Sequence, residues 1–349
     1  MKKLPMLLMA LLLMLNLAPK ASAMEITAPT VPESGRHLMP ERTDSFGEGV
    51  LEILKTATAS LRPDLAEACR ICAGTVAVVL LLSLLESLPG HSQNAGGLAG
   101  AVAISCLLLA NTNSMLHLGA QTVNEISEYG KLLLPVMTAA LAAQGGITTS
   151  AALYTGTAVF NAFLTSLISK LLIPMVQIYL ALAAASGAIG EKALKQLQGV
   201  IKWAATWCLK LILYVFTGFL SITGVVSGAT DATALKATKL TISGMVPVVG
   251  GILSDASEAV LVSAGLAKNA AGIYGILALL AVCLGPFLRI GVHYLLLKLT
   301  SAVCGIFGPR RVTDLIQDFS TSMGMLLAMT GSECVLLLIS TVCFLRGVG

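Results

Sequence analysis

The sequence predicts an all-α polytopic membrane protein, with about seven to nine transmembrane helices and one or two Gly/Pro-broken re-entrant hairpins. Three observations carry that prediction. Of 349 residues, 56% are hydrophobic and only 11% charged, and the mean hydropathy is +0.87. A soluble domain carries roughly 25% charged residues, so charges this sparse cannot cover a globule's surface. Apolar runs recur from residue 71 to the end, and the connections between them hold most of the charge. The net charge of +4 reads as loop positives that set topology, and 5% aromatics leaves little for stacking bases. No nucleic-acid partner is expected.

Residues 1–23 read as a cleavable signal peptide. Lys2 and Lys3 precede an apolar core, Leu4 to Leu17, and Ala21-Ser22-Ala23 forms a small-residue cleavage site. The mature N-terminus is then expected outside the cytoplasm. Residues 24–70 form an extracytoplasmic polar and amphipathic segment. Val50, Leu51, Ile53, Leu54, Leu61 and Leu65 recur at helical spacing, which predicts one or two short amphipathic helices broken at Pro63. Such a helix lies on the membrane face, meets a partner, or is simply solvated.

Residues 71–349 form the helical membrane domain. Ile71–Leu88 is the first apolar run and Leu98–Leu118 the second. A polar hinge, Gln121–Lys131, leads into the short run Leu132–Ala143, which ends in Gln144-Gly145-Gly146. Ala151–Ser169 and Leu171–Ile189 are parted by Lys170 and Pro174. The basic loop Glu191–Lys202 precedes Trp203–Val226, whose Trp203 and Trp207 read as interfacial anchors. Ile273–Ile290, Gly291–Phe307 and Met323–Leu345 complete the set, with Pro309-Arg310-Arg311 as a second basic loop. The positive-inside rule places both basic loops in the cytoplasm.

The most informative run is Ser243–Gly272. It is apolar yet holds Pro247, Gly250, Gly251, Asp255 and Glu258. Proline removes a backbone donor and carboxylates are expensive in hydrocarbon, so protein or water is expected to face them. The stretch Lys131–Tyr154 resembles it. Pro135 precedes Gly145 and Gly146 there, and Pro174 follows Pro135 by 39 residues, as Pro286 follows Pro247. The parallel suggests an internal duplication, with repeats at about 98–202 and 203–322. Loose helix packing through small residues explains the same pattern.

No catalytic constellation is present. The four histidines share no spacing, and no motif for zinc, phosphate or nucleophilic chemistry occurs. No cofactor or metal is expected. Asp255 and Glu258 share a helix face at i, i+3, with Lys268, Arg289, His293 and Lys298 downstream as counter-charges. Two readings stay open for the carboxylates, a polar cavity or subunit contact on one side and a helix border on the other. Glu86 and Glu333 sit near span ends and read as interfacial. Cys69 and Cys72 have redox-motif spacing without the βαβ context, and read as small hydrophobes, with a disulfide or redox role on the non-cytoplasmic side as the alternative.

Two runs carry a family resemblance. GMVPVVGGILSDASEAVLVSAGLAKNAAG and KLLLPVMTAALAAQGGITTSAALY resemble the two distinctive stretches of the stage III sporulation protein AE family. The order of signal, variable polar segment and polytopic body also fits, and the likeness spans about residues 45–349. The resemblance implies a non-enzymatic multi-pass subunit of a channel-like, secretion-like complex. That complex would sit in the mother-cell membrane around the forespore and be needed for endospore development. Its implied partners are the other stage III A operon membrane proteins and, through them, a forespore membrane partner. The family brings no catalytic residues. The two runs transfer as structural or contact regions, with Pro135, Gly145, Gly146, Pro247, Gly250, Gly251, Asp255, Glu258, Lys268 and Asn269 as their candidate positions. The alternative is a stand-alone secondary transporter or permease, using the broken-helix segments as its substrate site.

Overall fold

The computed structural model describes residues 29–40, 46–87, 93–245 and 250–346, with side chains described over the same residues except 93–95 and 224–268. Every regular element among them is helical. A single turn, Glu33–Arg36, precedes α1 (Phe46–Ser60), α2 (Arg62–Glu86), α3 (Gln93–Ala143) and α4 (Ile147–Leu167). Then come α5 (Ile173–Ile189), α6 (Lys192–Met245), α7 (Gly250–Phe307) and α8 (Arg310–Arg346). Six segments are long and apolar enough to cross a membrane: Arg62–Glu86, Gly96–Ala143, Ile147–Ile189, Lys192–Thr223, Asn269–Phe307 and Arg310–Arg346. The protein is an all-α polytopic membrane protein.

Several runs that hydropathy separates are single helices. The second run, the polar hinge and Leu132–Ala143 together make α3, 51 residues long. The hinge is polar on one face only. Gln121, Asn124, Glu128 and Lys131 are exposed, whereas Thr122, Val123, Ile126 and Tyr129 are buried. Pro135 does not interrupt α3 either. Its missing donor and ring clash cost about 3 kcal/mol in a helix interior. The burial of Leu133, Leu134, Met137 and Leu141 around it holds the helix through the defect. The chain reverses later, at Gln144–Gly146. There Gly145 takes a φ of 92°, a region that costs other residues about 1–2 kcal/mol.

The two runs flanking Lys170 are also continuous. A π-turn, Ile168–Leu172, links α4 to α5 through a bond from the Ile173 N–H to the Ile168 carbonyl. Pro174 is the cause. It offers no N–H to the Lys170 carbonyl and its ring crowds that oxygen, so the helix widens by one residue. Ile273–Ile290 and Gly291–Phe307 likewise join in α7, 58 residues long with Pro286 inside it. The two proline-bearing units thus each comprise long helices, α3 with α4–α5 and α6 with α7.

These helices far exceed a bilayer. At about 1.5 Å per residue α3 is about 75 Å long, against a hydrocarbon core of about 30 Å. Its exposed stripe locates the lipid. Leu98, Val102, Cys106 and Leu109 are exposed, followed by Asn113, Ser114, His117, Gln121, Asn124, Glu128 and Lys131. The stripe turns from apolar to polar at Asn113. In α2 the change runs the other way along the chain, from exposed Arg62, Glu67 and Arg70 to Leu80, Leu81, Leu84 and Leu85. Leu107 packs on Gly74 and Leu82 on Gly100. The two changes therefore fall at one level, beyond which the exposed face of α3 is polar as far as Lys131.

One end of the bundle is basic. Gly190, with φ of 80°, ends α5 against the Arg311 guanidinium. Lys195 of α6 pairs with Asp314 of α8. α8 is the central helix, packing on α3, α4, α5, α6 and α7. It runs antiparallel to α7, with the Ser301 hydroxyl donating to the Thr313 carbonyl at 3.3 Å and Ser320 to the Tyr294 carbonyl at 3.2 Å. Pro63 opens α2 at its first turn, where a missing N–H costs nothing. The amphipathic α1 covers α7. Ile53 and Ala57, with Leu38, bury against Leu277 and Ala281.

Candidate functional site

The positions singled out by sequence divide into two groups. Pro135 is exposed within α3, Gly145 makes the left-handed turn and Gly146 is the residue before α4. Together they shape the end of the α3–α4 hairpin. Pro247 lies outside the described residues. Gly250 and Gly251 are the first residues of α7, so from there on the chain is helical. The side chains of Asp255, Glu258 and Lys268 lie outside the described set, and Asn269 is exposed. Arg289 has its own partner, Asp64 of α2. His293 is buried, with Nδ1 2.9 Å from the Arg289 carbonyl. Cys69 and Cys72 are free thiols, exposed and half-buried on α2.

The polar chemistry that is described gathers instead along α8. At its basic end Asp318 accepts a hydrogen bond from the Tyr179 hydroxyl at 3.0 Å, and Gln198 donates to the same carboxylate at 3.4 Å. Gln198 also reaches the Tyr179 carbonyl at 3.4 Å, tying α5, α6 and α8 together. A cleft of about 430 Å³ opens beside them, walled by Lys192, Lys195 and Arg311 against Glu191, Asp314 and Asp318. Charges of both signs line it, so it suits a partner or headgroup carrying both.

Two-thirds of the way along α8 lies Glu333. Its position in the last span reads as interfacial, but it is 0% exposed. α8 runs from Arg310 to Arg346, which puts Glu333 inside the bundle rather than at a rim. The Thr165 hydroxyl donates to its Oε1 at 2.8 Å, and Oε2 has no partner. No cation forms an ion pair with it among the described residues. Thr165 belongs to a face of α4 with Thr157 and Asn161, spaced i, i+4, i+8. Thr157 donates to the Ser340 hydroxyl at 3.0 Å, and the Asn161 amide donates to the Ser127 hydroxyl at 3.0 Å. The three contacts zip α4 to α8 and α3 through hydroxyls and one amide. Such bonds fix the register of the helices they join.

Sequence reading passed over this seam. The signal was present as three polar residues at helical spacing inside Ala151–Ser169. Asp314 and Asp318 show the same i, i+4 spacing beyond Arg311. Short hydroxyl side chains barely lower the hydropathy of a run, so they do not stand out.

Comparison with known proteins agrees with the two motif runs. The family model described as Stage III sporulation protein AE matches residues 41–347. The curated Stage III sporulation protein AE of Bacillus subtilis (strain 168) is 23% identical over 248 residues, covering 70% of this chain. The match spans 62% of that relative's length. No solved structure matches the chain. Family coverage of nearly the whole described chain, on an all-α membrane body, places this protein in the stage III sporulation protein AE family.

Proposed function

We propose that the protein is a non-enzymatic, multi-pass subunit of a channel-like, secretion-like complex in the mother-cell membrane around the forespore. Its partners are the other stage III A operon membrane proteins and, through them, a forespore membrane partner. The observation that best supports this reading is the length of the helices. On the α2–α3 flank the lipid-facing stripe stops at Asn113, and α3 continues for 30 residues to Ala143. A solute carrier confined to one bilayer has no need of that extension. A subunit that meets proteins between two membranes does. With Lys192, Lys195, Arg310 and Arg311 at the opposite end, the positive-inside rule directs the extension away from the cytoplasm. The packing of α1 on Leu277 and Ala281, far along α7 from Arg310, supports an N-terminal segment on the same side.

The test is purification of the tagged full chain from sporulating cells after crosslinking. Recovery of other membrane proteins of the same operon, and arrest of spore development on deletion, are the expected results. Recovery of the chain alone, with normal sporulation in the deletion strain, overturns the reading. Solute uptake by the purified protein in vesicles would favour stand-alone transport instead.

A further inference from the structure

The two flanks of the bundle are inverted. Lys195 on Asp314 and Gln198 on Asp318 set α6 parallel to α8. Leu326 against Gly119 and Leu337 against Gly130 set α3 parallel to α8 as well. Leu82 on Gly100 and Leu107 on Gly74 bring α2 into the same register. In it, where α3 exposes Val102 and Leu109, α6 exposes Lys192 and Lys195. Where α6 exposes Leu211, Tyr214, Val215 and Ile222, α3 exposes Asn124, Glu128 and Lys131. The apolar stretches of the two helices are thus centred about 40 Å apart along the bundle, against a hydrocarbon core of about 30 Å. Both helices pack on α8, so two helix spacings, about 20 Å, separate them. Bringing both stretches into one bilayer would need a tilt beyond the roughly 40° that membrane helices reach. Lipid can therefore cover only one of them.

We propose that the outer face of α6 docks on the α2–α3 flank of a second copy of this chain, at the same height. Charge selects that occupant. From Lys192 to Thr223 α6 holds four lysines and no carboxylate, whereas α3 from Gln93 to Gly130 holds two glutamates and neither lysine nor arginine. Lys202 and Lys210 are exposed and form no ion pair among the described residues. In the shared register Lys202 stands level with the exposed Glu67 of α2, and Lys210 with the half-buried Glu125 of α3. Both lysines of one copy thus meet a carboxylate of the next. Trp203 and Trp207, also exposed, lie between the two lysines as the large side chains of the contact. Beyond them Gly218 and Ile222 reach the height of Leu132 and Pro135, which α3 leaves exposed. α6 packs on α4, α5 and α8, whereas α2 packs on α3 and α7, so the two faces lie on different sides of the bundle. The contact is then head to tail, and repeats from copy to copy into an arc or a closed ring.

The experiment uses the full chain, without its native cysteines, in membranes of a host that lacks the sporulation operon. Gly218→Cys and Leu132→Cys are placed in one chain and bridged with a short bis-maleimide. A Cβ at Gly218 meets nothing within 4 Å, so the probe leaves the fold and the four charges untouched. A ladder of dimers, trimers and larger species of this chain is expected, with monomer alone from either single variant. Lys202→Glu with Lys210→Glu is expected to cut the ladder about tenfold. Adding Glu67→Lys with Glu125→Lys is expected to restore it, which a misfolded chain would not do. Monomer throughout overturns the proposal, and so does bridging to host proteins only. Dimers from Gly218→Cys alone would mean two-fold pairing of α6 and overturn the head-to-tail contact. A ladder indifferent to the charge reversal, or not restored by the compensating pair, also overturns it.

Discussion

The hydroxyls of Thr157 and Ser340 meet at 3.0 Å across α4 and α8, 183 residues apart in sequence. Thr165 and Glu333 repeat that pairing two turns along, eight residues later on α4 and seven earlier on α8. The two contacts fix one antiparallel register. Hydrogen bonds between membrane helices average about 0.6 kcal/mol in double-mutant cycles. Thr157→Ala with Ser340→Ala should give a coupling of about that size. Thr165→Ala against Glu333→Ala should give more, about 1.5–3 kcal/mol, because one partner is a carboxyl group. Chemical unfolding of the four single and two double variants in detergent reads both. Equal couplings would show that the carboxylate adds nothing to the seam.

The Asp64–Arg289 pair joins α2 to α7 beside a cavity of about 280 Å³ that Ser34, His37 and Leu118 also line. Asp64 is 15% exposed and Arg289 41%, so the pair is partly shielded. Asp64→Ala should destabilise by about 1 kcal/mol, the upper end for exposed pairs. Asp64→Arg should cost more, and adding Arg289→Asp should recover most of the loss. If the swapped pair is no better than the single variant, geometry rather than charge makes the contact.

Two glycines separate close packing from helix propensity. A Cβ at Gly156 would lie 2.0 Å from the Phe219 ring, whereas one at Gly199 meets nothing within 4 Å. Gly156→Ala is expected to cost about 1–3 kcal/mol by forcing α4 off α6. Gly199→Ala, on an exposed helix face, is expected to gain about 0.5–1 kcal/mol. Melting temperatures of the two variants should move in opposite directions.

The stripe on α3 can be mapped in cells. In a background lacking the eight native cysteines, Gln121→Cys and Glu128→Cys should react with a membrane-impermeant maleimide added from outside. Val102→Cys and Leu109→Cys should not, because they face hydrocarbon. Labelling at Val102 as strong as at Glu128 would mean that lipid does not end at Asn113.

How much was legible in the sequence follows from what each signal averages over. Sparse charge and repeated apolar runs gave the class, and the two motif runs gave the family. Local backbone chemistry read a break at Pro63, but that residue lies in the first turn of α2, a helix that starts nine residues before the apolar run drawn from hydropathy; Gly145 follows the run ending at Ala143 and takes a left-handed turn. Continuity was hidden. Gln121–Lys131 looks like a hinge because hydropathy counts both faces of a helix at once, and the buried half comes from contacts far along the chain. Pro135 reads as a break for the same reason, since Leu133 and Met137 only hold the helix once neighbours bury them. Glu333 was misread as interfacial although the run Met323–Leu345 holds it near its middle, where α8 buries it in the bundle. The side chains of Asp255 and Glu258, the sharpest expectation of all, fall outside the described residues.

The widened turn at Ile168–Leu172 acts as an expansion joint. Below it, Ile173, Val176 and Leu180 of α5 are the residues that face inward. Above it, Thr157, Asn161 and Leu164 of α4 do. An α-helix advances about 100° per residue, and the wide turn takes up one extra residue without passing that rotation on to either half. A single-residue deletion at Ser169 should therefore close the wide turn to an α-turn and leave Thr165 on Glu333 and Thr157 on Ser340.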